Sequence, residues 1–185
     1  MDLQNILDRW KIKCDIGTIL GMWNESHRSY HTLDHLNDLL EQADENRESF
    51  SQKEYEMLVL ASLFHDAVYE PAKADNEERS AEFFISCCED KSNPDILAVR
   101  QMILDTKDHK ASSRLSKIFS EFDMRIVERD LDSLLEWEKG ISDEYSMYPK
   151  EQYKEGRLKF LESLLDRYPA NSENLLGLIG IVKNS

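Results

Sequence analysis

The chain has 185 residues, with 41% hydrophobic and 32% charged, and Lys+Arg 23 against Asp+Glu 37 leaves a net charge of −14. That is long enough to bury a sizeable core in one soluble domain. The acidic excess argues against binding long nucleic acids, which rests on neutralising many phosphates, and no stretch reaches the roughly 20 apolar residues of a membrane span.

The opening segment MDLQNILDRWKIKC has no basic region followed by an apolar run, so no signal peptide is expected there. With only 6 glycines and 4 prolines, and apolar spacings of three and four throughout, the chain reads as all-α. Helices are predicted over 2–13, 16–26, 33–48, 52–68, 76–89, 94–107, 123–138 and 150–168, with weaker ones over 142–148 and 172–182. Thr32 is expected to cap the third, Asn76 the fifth, and Asn93-Pro94 to start the sixth with Asn as cap and Pro at the first helical position. No repeat or linker divides residues 1–185, so a single compact helical bundle is expected. Cys14, Cys87 and Cys88 are odd in number and lack a CxxC spacing, which suggests packing thiols in a cytoplasmic protein. A homodimer is the expectation from base rates alone.

The most informative residues are His65 and Asp66, at the end of the apolar run MLVLASLFHDAVYEP. Helical steps back from His65 give Ala61 and Leu58, so the imidazole projects from a core-facing stripe. A carboxylate in such surroundings is costly unless it is paired or bound to a metal. His35 lies in the first turn of the helix capped by Thr32, at the edge of the stripe Leu36, Leu39 and Leu40. The alternative, a helix already including His31, would put both imidazoles on one face. In MRIVERDLDSLLEW, Asp130 is four after Ile126 and four before Leu134, inside the predicted apolar stripe. Two imidazoles and two carboxylates from three helices form a ligand set suited to a borderline or hard divalent ion. Such an ion polarises a phosphoryl oxygen and activates water, and it makes a small phosphorylated substrate compatible with an acidic chain.

The order His35, His65-Asp66, Asp130 resembles the HD superfamily of metal-dependent phosphohydrolases, all-helical proteins named for their His-Asp doublet. The blocks RSYHTLDHL, FHDAVYEP, DNEERSAEF, ILDTKDH, RDLDSL and EY…YKEGRLKFLESLL, from about residue 28 to 168, are similar to those of a subgroup of small bacterial predicted HD phosphohydrolases. The resemblance implies an HD-type helical bundle in which His35, His65, Asp66 and Asp130 hold one divalent ion, whether Mn, Mg, Fe, Ni or Co. It implies hydrolysis of a small, nucleotide-like phosphate compound.

Around the quartet, Asp66 and Glu70 are the catalytic candidates, Glu70 as general base or as the group orienting the attacking water. Glu77 and Ser80 are candidates for the metal's surroundings. Arg28, His31, His109 and Arg157 are the candidates for binding substrate oxygens; Arg157 lies on a core-facing stripe and needs either an internal acid such as Glu144 or a bound anion. Two other readings compete: a nucleotide- or metal-binding sensor without turnover, and an HD-type di-iron oxygenase. The latter calls for more histidines between the doublet and the last acid than the one present, His109.

Overall fold

The computed structural model describes residues 2–185, and every regular element among them is helical, in line with the predicted class. No described helix is long and apolar enough to cross a membrane. The helices group into two compact units, one ending at Asp123 and the other running from Met124 to Ser185.

The first unit contains α1 (Leu3–Arg9), α2 (Ile16–Trp23), α3 (Leu33–Glu45), α4 (Gln52–Phe64), α5 (Asn76–Cys87), α6 (Pro94–Asp105) and α7 (Arg114–Asp123). Its axis is α4, which packs against α3, α5, α6 and α7 and is buried at every position from Tyr55 to Phe64. A helix enclosed on all sides needs no polar face, which explains its near-continuous apolar run. The start of α4 is fixed by a capping box: Ser51 accepts from the Glu54 backbone N–H, and Glu54 accepts from that of Ser51. Glu56, buried within α4, is satisfied by Arg9, the Trp10 indole N–H and Gln52.

Most predicted starts agree with the structure. Thr32 caps α3 and Asn93 caps α6 with Pro94 at its start. Asn76 is not a cap; it is the first residue of α5, and its side chain instead binds the backbone of Glu70 on both N–H and C=O.

Two differences matter for function. The predicted helix 52–68 stops at Phe64, so that the doublet forms a turn. The stop is tolerated because side chains take up the carbonyls that a helix end leaves unpaired: His65 Nδ1 binds Ser62 O at 3.1 Å and the Trp23 indole N–H binds Leu63 O at 2.9 Å. The second difference is that α7 was not predicted, and the single helix expected over 123–138 is divided. Residues 125–128 form a 3₁₀ turn, and a new helix, α8 (Leu131–Glu144), follows.

The second unit consists of that turn, α8, α9 (Lys150–Arg167) and α10 (Ser172–Asn184). Its core is formed by residues such as Leu134, Trp137, Leu161, Leu164, Leu175 and Leu178, with α10 packing on both α8 and α9.

Contrary to the expectation of three packing thiols, Cys14 and Cys87 form a disulfide, while Cys88 is a buried free thiol. A short antiparallel bridge, Ile12 with Cys88, brings the segments together, with Lys13 N–H donating to Cys87 O and Glu89 N–H to Lys11 O. The sequence spacing hid this pairing because contacts 73 residues apart leave no local signature. Closing a loop of that length restricts the unfolded chain by about 4 kcal/mol on the chain-entropy estimate. Reduction with dithiothreitol is therefore expected to lower the urea midpoint clearly, and superimposable curves with and without reductant would contradict a structural role.

Candidate metal centre

The site is assembled in the first unit from the start of α3, the turn after α4 and the end of α7. His35, in the first turn of α3, is buried and places Nε2 3.1 Å from Asp123 Oδ1. His65, 1% exposed, caps the C-terminus of α4. With Nδ1 engaged by Ser62 O, its Nε2 faces Asp66 Oδ2 at 3.2 Å and Asp123 Oδ1 at 3.5 Å. No hydrogen bond is made by that buried Nε2. One donor atom from each of His35, His65 and Asp66 falls within 4.8 Å of the others.

The electrostatics are those of acids and imidazoles that stabilise one another's charge. Burial alone would lower the His65 pKa, but the Asp66 and Asp123 carboxylates outweigh it and lift the imidazole to about 10. Burial would raise Asp66, yet His65 and His31 hold its carboxyl well below the usual range. Asp123 is likewise held down, against burial, by His35 and His65.

Asp123 is the residue that sequence reasoning missed. Asp130, expected as the fourth ligand, is exposed, belongs to the second unit, and caps α8 by accepting from the Ser133 backbone N–H at 2.9 Å. The correction follows from the divided helix: with a new helix starting at Leu131, Asp130 stands at a helix entrance and not within a buried stripe. A signal for Asp123 was present. In RLSKIFSEFD it falls four after Phe119, the fully buried residue of α7, and so on that helix's inward face.

Four further expectations are corrected. Arg28 does not present a free guanidinium: its N–H groups go to His31 O (3.1 Å), Asp66 O (2.8 Å), Ala67 O (3.0 Å) and Glu25 Oε2. Glu70 is exposed and ion-paired with Arg79 at 2.6 Å, which holds its carboxyl low, a poor setting for a general base. Arg157, offered for substrate, has an internal acid as its burial demands: Glu138 lies 2.6 Å from Nε, and the guanidinium stacks 4.1 Å over Trp137. Ser80 is a structural link, its hydroxyl bonding the backbone N–H and C=O of Val68.

Three other candidates flank the centre. His31 lies with Nε2 3.8 Å from Asp66 Oδ2, against the Tyr69 ring at 4.3 Å. His109 sits across Asp123, with Nδ1 3.8 Å from Oδ2. Its backbone adopts φ 51°, a left-handed conformation unusual for a side chain of this size. The loop that carries it is pinned by Asp105, which accepts from the N–H and hydroxyl of Ser112 and from Ser116. Glu77 is half-buried; burial first, and then the Asp66 charge, push its carboxyl above the usual range. It lies 3.9 Å from Lys107, whose ammonium is already bound by Glu78 and Ala74 O.

The arrangement is chemically coherent: two imidazoles and two carboxylates held low converge among largely buried side chains, with His65 Nε2 within reach of both acids. A search of protein-family models, curated proteins and solved structures found no match to the chain.

Proposed function

We propose that the chain is a metal-dependent phosphohydrolase of the HD type, acting in the cytoplasm on a small phosphorylated, nucleotide-like substrate. The observation that carries this reading is the buried His65 Nε2 without a hydrogen bond, set between Asp66 and Asp123 and close to His35. A buried imidazole nitrogen that faces two carboxylates without a well-formed hydrogen bond is costly, and a divalent cation bound by all three groups would relieve that cost.

In this proposal His35, His65, Asp66 and Asp123 hold the ion. When bound, it supplies Lewis acidity to a phosphoryl oxygen and makes water a stronger nucleophile near neutral pH. His31 and His109, placed beside the two carboxylates, donate hydrogen bonds to the remaining phosphoryl oxygens. Glu77 takes the place expected of Glu70 as the acid beside the centre, with its carboxyl raised toward the range useful for proton transfer. A cytoplasmic setting would keep Cys14 and Cys87 reduced, so the disulfide belongs to the oxidised protein.

The test is elemental analysis of the purified protein followed by a panel of phosphate esters and anhydrides with Mn2+. About one divalent ion per chain is expected, with phosphate release that EDTA abolishes and Mn2+ restores. Nucleotide bound tightly with no product would select the sensor reading, and two irons per chain the oxygenase.

A further inference from the structure

We propose that Arg28 is a positioning residue of the metal centre: it locks the segment leading to His35 onto the His65-Asp66 turn and thereby sets the affinity for the divalent ion. The inference rests on the metal-centre reading above and adds a residue that is neither a ligand nor in contact with substrate.

The geometry is specific to a guanidinium. NH1 donates to His31 O on one segment and to Asp66 O on the other, so a single nitrogen bridges the two ligand-bearing stretches. NH2 adds Ala67 O, and Nε and NH2 share Glu25 Oε2. All five N–H groups of the side chain are thus assigned, and the side chain is 0% exposed. Its planar group lies over Trp23 (5.4 Å) and Tyr69 (5.3 Å). Trp23 continues the clamp: its indole N–H holds Leu63 O, and its ring packs 5.3 Å from that of His65. On the two ligand-bearing stretches the bonded atoms are backbone carbonyls, so Arg28 fixes where the ligands start and leaves their donor atoms untouched. With all its N–H groups used, it has none left for a phosphate.

Lysine keeps the charge but has a single point of donors and cannot bridge three carbonyls and a carboxylate at once. Mn2+ affinity, measured by calorimetry with no phosphate compound present, is expected to fall about 10–100-fold in Arg28→Lys, the usual cost of losing a residue that orients metal ligands. Circular dichroism and the thermal midpoint in EDTA show whether the variant folds. A substrate-contacting arginine would behave in the opposite way, with Mn2+ affinity unchanged and inhibition by inorganic phosphate weakened; that result overturns the proposal. Should Arg28→Lys fail to fold, Glu25→Ala decides. It frees the guanidinium from its orienting carboxylate, which is 44% exposed, and is expected to weaken Mn2+ binding by about threefold or more; wild-type affinity there overturns the proposal. A wild-type protein that takes up no Mn2+ sinks the metal-centre reading itself, so the two failures are told apart.

Discussion

Asp66→Ala is expected to abolish both divalent-metal binding and metal-dependent phosphate release. The loss should exceed the roughly 10–100-fold that removal of a merely supporting residue costs, because an anionic donor is taken from the centre. The fold around the doublet should survive, since Arg28 grips the backbone carbonyl of residue 66 and not its side chain. The same titration in the wild type carries a second readout. In the metal-free protein the two carboxylates lift the His65 pKa to about 10, so at pH 7.5 the imidazole carries a proton that the ion must displace. A group protonated when free and deprotonated when bound makes affinity rise with pH, by about tenfold per unit below pH 10. Calorimetry in two buffers of different ionisation enthalpy should show about one proton released per ion. Full metal-dependent turnover in Asp66→Ala, or no proton release in the wild type, would remove the doublet from the centre.

Much of the fold was legible because the dominant signals are local. Apolar periodicity, the Thr32 cap and the Asn93-Pro94 start depend on residues within four positions of one another, and the predicted starts of α3, α4 and α6 fall on their first residues. The special standing of His35 and of the doublet was legible for another reason. A polar residue on an apolar stripe conflicts with its surroundings, and such conflicts mark sites. Non-local partners were not legible. Glu138 against Arg157, Arg79 against Glu70, and Cys87 against Cys14 are chosen by helix packing, which residue spacing does not encode. Arg28 shows the limit most clearly. Its charge suggested a phosphate, while the fold spends it on three carbonyls.

The second large effect separates two aspartates seven positions apart. Asp123→Asn preserves shape and removes the charge that His35 and His65 share, and it is expected to lower metal affinity by more than about 100-fold, beyond the loss of an outer residue. Asp130→Asn should leave both metal binding and stability unchanged, because Asn caps a helix about as well as Asp. Asp130→Ala should cost about 1 kcal/mol through the lost cap to Ser133, again with metal affinity intact. The contrast tests the structure against the order of motifs in the sequence. RDLDSL offers an aspartate in the expected place, but the 3₁₀ turn at Arg125–Glu128 ends one helix and lets Asp130 open another. Metal lost from Asp130→Asn and kept by Asp123→Asn would mean that residues 123–138 form one helix, as the periodicity first suggested. Metal lost from Asp123→Asn alone ties the site to the end of α7, where a largely buried carboxylate lies between His35 and His65 with His109 on its far side.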